Sequence, residues 1–336
     1  MNRFLIVRLG SLGDVVHGIP VAAALRQAFP TSRIDWMVDP RYVELLNLVT
    51  SLDRRIPVDP REAKQGKTRQ RLSQHVREMR DIGYDAVIDL QGLVKSAVLA
   101  RSVRARRTIG FPRKHLREPL ARLFYTDAPD PGSATHVIYK NLALLAPLQV
   151  NDRTVRFPLV IPRSPMCEQI RERMGGRDYA LINPGAAWPN KRWPPARFGA
   201  VAAAMMRDFG WRSLVLWGPG EEELADAVVA ASDGSAVTSP PTTITDIVAI
   251  ARKARLMISG DTGPLHIAAA VGTPVVGLYG PTRPERNGPW GPADVALSRV
   301  HRCSCVYERS CRKTERCIDD ISVDEVVAAV QRRLAA

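Results

Sequence analysis

Aromatic residues are scarce in this chain: 6 Trp, 7 Tyr and 7 Phe make up only 6% of its 336 residues. Its cores must therefore be built mainly of Ala, Val, Leu and Ile, and no aromatic platform or recognition-helix motif of the kind nucleic-acid binders use stands out. Long apolar runs are missing as well. After Arg3 only Phe4 to Val7 is apolar before Arg8 intervenes, which is too short for the apolar region of a signal peptide. No stretch is long enough to span a bilayer. A cytoplasmic protein is expected, with any membrane contact peripheral. Cysteines number five, and in a reducing cytosol they are not expected to form structural disulfides. The dinucleotide fingerprint Gly-x-Gly-x-x-Gly is absent. That weighs against an NAD-dependent dehydrogenase, although Asp39 would supply an acid at the end of a second strand. Acidic residues are in deficit, 34 against 48 Lys and Arg, for a formal charge of +14. Such a field draws polyanions: nucleic acid, acidic lipid headgroups or a phosphorylated substrate. A bias towards solubility would give the same surplus, so charge alone selects no function.

What the chain does have is an alternation of strands and helices. Phe4–Leu9, Ile34–Asp39, Arg55–Val58, Tyr84–Leu90 and Arg107–Phe111 read as strands in the first half. Helices are expected over Pro20–Phe29, with Pro20 in its first turn, over Arg69–Ile82 ending at Gly83, and over Leu93–Val103. The alternation restarts in the second half. Strands are expected at Tyr179–Asn183, Ser213–Trp217, Leu256–Ser259 and Pro274–Tyr279. Helices are expected at Pro195–Phe209, Glu221–Ala231, Thr243–Ala254, Leu265–Val271 and Val323–Leu334. Such a βαβ pattern implies parallel sheets covered on both faces. Between the halves, 149–176 is rich in Pro and Arg and weakest in period, and the boundary is placed near Pro158–Pro165. Two open α/β domains follow, residues 1–160 and 161–336, and open sheets of this kind bind ligands at the carboxyl ends of their strands.

Four strand-to-helix turns carry chemistry. In Arg8-Leu9-Gly10-Ser11-Leu12-Gly13-Asp14-Val15-Val16-His17, Asp14 is either a general base at the mouth of a cleft or a helix cap. In Ser259-Gly260-Asp261-Thr262-Gly263-Pro264-Leu265-His266, the Thr262 and Gly263 N–H groups open a helix, a geometry that binds phosphate. Asp261 is better suited there to sugar hydroxyls or to the turn itself. His266 either faces the same ligand or is a buried, hydrogen-bonded side chain. In Asn183 to Pro194, a Gly185-Ala186-Ala187 turn precedes Lys191, a point charge suited to a diphosphate. In Trp217-Gly218-Pro219-Gly220-Glu221-Glu222-Glu223, an acid could hold a ribose, or simply complement the helix dipole.

Taken together these pieces resemble glycosyltransferase family 9, the heptosyltransferases of lipopolysaccharide core synthesis. The residues that carry the resemblance are RLGSLGDVVHGIP, YDAVIDLQGLVKSA, REPLARLFY, NKRWP and SGDTGPLHIAAAVGTPVVGLYGPT, in that order over nearly the whole chain. The second and third look most like heptosyltransferase I, the branch that adds the first heptose. The resemblance implies a GT-B fold: two facing Rossmann-like domains, acceptor on the first and donor on the second, with the last helix able to pack back on the first. It implies inverting transfer from ADP-L-glycero-D-manno-heptose to the Kdo region of lipid A at the inner membrane. No metal or other cofactor is implied, no nucleic acid is involved, and a monomer is expected. By the same resemblance Asp14 is the base. Lys191, Gly185, Ala186, one of Glu221 and Glu222, Asp261, Thr262, Gly263, Pro264 and His266 serve the donor. Gly13, His17, Gln91, Lys95 and Arg117 serve the acceptor, with the basic stretch Lys95–Arg122 steering its anionic groups.

Two features depart from the family pattern. The Gly185-Ala186-Ala187 turn lacks the hydroxyl side chains that heptosyltransferase I places near the diphosphate. Cys303, Cys305, Cys311 and Cys317 crowd into one basic segment. Four thiolates could hold zinc, but the spacing is irregular and lacks paired Cys-x-x-Cys knuckles; reduced thiols are the alternative.

Overall fold

A computed structural model describes residues 3–59 and 67–336. The chain divides into two compact units, Met1–Val160 and Ile161–Ala336. The first holds β1 (Arg3–Val7), α1 (Leu12–Ala28), β2 (Arg33–Val38), α2 (Val43–Asn47), β3 (Arg54–Pro57), α3 (Lys67–Ile82), β4 (Ala86–Asp89), α4 (Val94–Ser102), β5 (Arg107–Ile109) and α5 (Val137–Ala143). Its five strands are all parallel, in the order β3-β2-β1-β4-β5. The apolar strand residues Phe4, Leu5, Ile6, Val7, Val87 and Ile88 are wholly buried, as a sheet covered on both faces requires.

The second unit holds α6 (Pro165–Arg173), β6 (Tyr179–Asn183), α7 (Pro195–Phe209), β7 (Arg212–Val215), α8 (Glu222–Ala230), β8 (Ala236–Thr238), α9 (Ile244–Lys253), β9 (Leu256–Gly260), α10 (Gly263–Ala270), β10 (Val275–Tyr279), α11 (Pro284–Asn287), β11 (Val295–Ser298) and α12 (Val323–Ala335). Its six parallel strands run in the order β11-β10-β9-β6-β7-β8. Counted from β6, this is the doubly wound order in which the chain reverses direction across the sheet between β6 and β9. In the first unit the same reversal falls between β1 and β4. Ligands of such sheets lie at the carboxyl ends of the strands flanking the reversal, which directs attention to the turns after β1, β4, β6 and β9.

One expectation needs correction. The first helix does not begin at Pro20 but at Leu12, so Pro20 lies inside α1 and Asp14 in its first turn. A proline normally marks a helix start because it lacks an N–H. Here burial of twelve of the seventeen residues of α1 outweighs the one backbone bond that Pro20 cannot donate. Gly18 lets the helix come close to Trp36, since a Cβ there would sit 2.7 Å from the indole. The last helix, α12, packs on α7, β10 and β11 of its own unit. Val326, Ala329 and Val330 are fully buried in that core.

Candidate functional site

In the first unit the turn after β1 is locked from below. Arg8 is 8% exposed and its guanidinium donates to the Leu90 carbonyl of the β4 turn. Its other nitrogen pairs with Asp14 Oδ1 at 2.5 Å. Gln91 Oε1 accepts from Leu9 N at 3.1 Å, tying the β4 turn to the β1 turn. Asp14 Oδ2 accepts from Ser11 N at 3.1 Å and from Ser11 Oγ at 3.0 Å, so it closes the start of α1 as a capping carboxylate. Burial opposes ionisation of Asp14. The charge and hydrogen bond of Arg8 and the two Ser11 bonds outweigh it, and hold the carboxyl below the usual aspartate range.

The proposed acceptor residues are scattered in depth. Gly13 is buried in α1, Gln91 is half-buried, and Lys95 and Arg117 are exposed. His17 is not at the mouth of the turn. It is 1% exposed, its ring sits edge-on to His136 at 5.5 Å, and its carbonyl accepts from Asn141. Its place one turn beyond Gly13 leads into the core because α1 is buried on nearly every side.

Sequence reasoning missed Asp89 and Tyr125. Asp89, fully buried at the carboxyl end of β4, accepts from Ser96 Oγ at 2.9 Å, Tyr125 OH at 2.8 Å, Gln91 N at 2.8 Å and Gly92 N at 3.2 Å. Burial nonetheless pushes its pKa up against those bonds. Glu118 Oε2 accepts from Val94 N at 2.7 Å. The YDAVIDLQGLVKSA and REPLARLFY segments are thus joined by two hydrogen bonds, and the basic turn carrying Arg117 is fastened to the start of α4.

In the second unit the turns after β6 and β9 meet. Lys191 Nζ lies 2.6 Å from Asp261 Oδ2 and 4.5 Å from the Trp188 ring centroid, over its face. Asp261 Oδ1 accepts from Asn287 Nδ2 at 2.8 Å and contacts His266 Nε2 at 3.2 Å. Burial opposes ionisation here too. The His266 hydrogen bond and the Lys191 and His266 charges overcome it and hold Asp261 far below the usual range. A carboxylate offers about four lone-pair positions; with three taken, about one remains for a ligand hydroxyl. The two turns also share backbone space, since a Cβ on Gly260 would stand 2.8 Å from the Lys191 carbonyl. Asn183 fixes the neighbouring turns: its Nδ2 donates to Gly185 O at 3.1 Å, Ser259 Oγ at 3.2 Å and Thr262 Oγ1 at 3.2 Å. Thr262, Gly263 and Pro264 are partly exposed at the start of α10. The first N–H groups of a helix have no partner within it.

The structure separates the two glutamates. Glu221 Oε2 accepts from Gly218 N at 3.2 Å, and Oε1 lies 3.6 Å from Arg192. A Cβ on Gly185 would stand 2.0 Å from Glu221 Oε2, so that glycine makes room for the acid. Arg192 Nε in turn donates to Ala186 O at 2.8 Å. Glu222 is exposed in the first turn of α8, where an acid complements the helix dipole. Asn287, which donates to Asp261, is a third residue that the sequence did not disclose. Asp39, the acid a dehydrogenase would need free for a ribose, is 1% exposed and held by both Nε and NH2 of Arg41, at 2.9 and 2.8 Å.

The cysteine segment supports the Lys191 turn from behind. Asn190 Nδ2 donates to Cys305 Sγ at 3.4 Å and to Glu308 O at 3.0 Å, while Arg316 donates to Pro189 O at 2.9 Å. Cys303 and Cys305 sulfurs are 3.5 Å apart, and burial raises the pKa of the Cys303 and Cys317 thiols. Among the described residues no group of three or more His, Cys, Asp or Glu side chains could hold a metal ion. The zinc reading of Cys303, Cys305, Cys311 and Cys317 therefore finds no such group in this arrangement.

The profile of glycosyltransferase family 9 (heptosyltransferase) matches residues 72–317. Lipopolysaccharide heptosyltransferase 1 of Pseudomonas aeruginosa is 30% identical over 323 residues, covering 92% of this chain and 87% of that one. Lipopolysaccharide heptosyltransferase 3 of Escherichia coli is 26% identical, covering 83% of each. Among solved structures, a glycosyltransferase family 9 protein of Veillonella parvula superposes with a TM-score of 0.82 at 25% identity, over 99% of this chain and 97% of that one. The E. coli heptosyltransferase WaaC with ADP gives 0.76 at 24% identity, over 98% and 99%. The two Rossmann-like domains are those of the GT-B fold.

Proposed function

The chain belongs to glycosyltransferase family 9 and is an enzyme, a glycosyltransferase; on that premise we propose that it moves L-glycero-D-manno-heptose from ADP-heptose to the Kdo region of lipid A, with inversion, in lipopolysaccharide inner-core synthesis. The observation that carries this reading is the Lys191–Asp261 pair, made where the chain reverses between β6 and β9. It sets a cation for a diphosphate beside a carboxylate with spare capacity for a sugar hydroxyl. Glu221 stands ready for the ribose, and Thr262 and Gly263 open a helix towards the phosphates. Donor lies on the second domain and acceptor on the first.

Transfer then balances without a metal or other cofactor. Asp14, ionised at neutral pH, takes the proton of the acceptor hydroxyl. That oxygen forms a bond to the anomeric carbon from the face opposite the phosphate, and the carbon–oxygen bond to the diphosphate breaks with its electron pair. Lys191 and the start of α10 stabilise the charge growing on the departing ADP, more in the transition state than before it. The enzyme acts as a monomer at the cytoplasmic face of the inner membrane. Among the described residues no helix is long and apolar enough to cross a membrane.

The direct test is transfer by the purified protein from ADP-heptose to Kdo-lipid A, with a heptosylated core as the competing acceptor. The 26% match to a heptosyltransferase 3 makes that second acceptor the one to include. Transfer to Kdo-lipid A with a β-to-α change at the anomeric centre, or its reverse, supports the reading. Transfer only to the heptosylated core moves the acceptor assignment. Use of another nucleotide-sugar alone refutes the donor.

A narrower prediction concerns the Gly185 turn. In Gly185→Ala the new Cβ displaces the Glu221 carboxylate, a flexible group that can swing away. Folding stability should change by less than about 1 kcal/mol, while ADP binding measured by calorimetry weakens about tenfold. Unchanged ADP affinity would remove Glu221 from the donor site.

A further inference from the structure

We infer that the 3-10 turn at Pro119–Phe124, with α4 beside it, is the surface by which this protein seats on an anionic lipid bilayer. This deepens the proposed function and relies on it only for the purpose of such contact. Large apolar side chains that stay exposed are few among the described residues, and the two most exposed of them are Leu120 at 64% and Leu123 at 78%. They belong to one 3-10 turn, where side chains three apart eclipse one another, so the two leucines project together. The turn itself is rigidly held. Ala121 and Tyr125 are buried, Tyr125 OH is bonded to Asp89, and Glu118 is bonded to Val94 N. Leucines kept in water on a fixed turn are matched by no packing need of the domain. A third exposed apolar residue, Val98 at 45%, lies on α4, which packs against the same turn.

The charge around these leucines selects the occupant. Residues 91–124 hold nine Lys and Arg against a single acid, Glu118. Lys95 and Arg101, on α4, and Arg113 and Arg117, just before the turn that packs against α4, are exposed. Apolar tips ringed by cations match a bilayer, whose acyl region accepts the leucines while anionic headgroups meet the bases. A second copy of the chain does not match, because it would bring the same positive field to the contact.

The test is co-sedimentation of the full chain with vesicles of phosphatidylcholine alone or with 30% phosphatidylglycerol, comparing wild type with the double variant L120S/L123S. Both substitutions replace exposed, uncharged side chains and leave in place every base of the Lys95–Arg122 stretch and every residue named for donor or acceptor. The thermal midpoint of the variant, and its transfer to a deacylated, water-soluble acceptor, are therefore expected to equal those of wild type. Wild type should bind the anionic vesicles, more weakly as salt rises, and the neutral ones at least tenfold less. The double variant should bind anionic vesicles at least tenfold less than wild type. Equal binding by wild type and variant overturns the inference, as does a wild type that ignores anionic vesicles. So does a change in oligomeric state on substitution with vesicle binding intact. Vesicle binding that follows this pattern while no transfer occurs to any acceptor leaves the surface standing and refutes the function instead.

Discussion

Asp14→Asn should lower turnover by about 10²–10⁴-fold, the range contributed by a positioned general base, while the affinity for ADP-heptose changes by less than about twofold. Asparagine can still accept from Ser11 N and so preserve the start of α1; what it loses is the proton-accepting charge and the 2.5 Å pair with Arg8. Loss of that half-buried pair should cost about 1–2 kcal/mol of stability, between the values for exposed and for buried pairs, which a urea titration of the variant measures. The pH profile distinguishes a base from a cap. Asp14 has a folded pKa below its ordinary 3.8, so it stays ionised as pH falls to that value, and wild-type turnover should show no acid limb from this group above it. Arg8→Met removes the largest influence favouring the ion. The folded pKa then rises, the proton is taken up at higher pH, and an acid limb should enter the profile. A merely structural Asp14 would lose stability in both variants with kcat and its profile unmoved, and that result would end its assignment as base.

The parts of this molecule legible in sequence are those where local and global signals agree. β6 and α7 lie where the pattern puts them: five consecutive strand residues are all buried, and the helix stops at Gly210, whose φ of +68° few other residues adopt. β8 and β11 escaped because each is a short edge strand with partly exposed residues, which leaves no period to read. The start of α1 was hidden by Pro20, where tertiary burial overrides a local rule. At the proposed donor site, motif spacing singled out Lys191, Asp261 and His266 around two turns. Asn287, 26 residues beyond Asp261, joins them only because α11 follows the adjacent strand β10. Asp89 and Tyr125 are likewise 36 residues apart and meet only through the fold. Sequence reasoning singled out charged groups on these turns and missed the neutral or buried groups that hold them in place.

Those holding groups give the second large effect. Asp261→Asn should destabilise the protein by about 3–5 kcal/mol, the usual penalty for removing one member of a buried ion pair, and should abolish measurable donor binding. The cost arises because Asp261 and Lys191 side chains are only 4% and 15% exposed. With an amide in place of the carboxylate, the lysine charge keeps its burial and loses its counterion, and one amide NH₂ faces donors instead of accepting from them. Acid should remove the same stabilisation reversibly. The unfolded aspartate takes up a proton near 3.8, whereas the folded one does so far lower. The contribution is therefore complete above about pH 5 and lost progressively as pH falls through and below 3.8 towards the folded pKa. Urea midpoints of wild type and Asp261→Asn should differ most at pH 6–7 and converge on acidification. Lys191→Met should cost less alone, because His266 and Asn287 still serve the carboxylate. The double variant Lys191→Met/Asp261→Asn should be destabilised by less than the sum of the two single changes, since it leaves no isolated charge behind. Strict additivity, or equal midpoints for wild type and Asp261→Asn across the pH range, would show that the pair contributes nothing to the fold, and the donor site would need another centre.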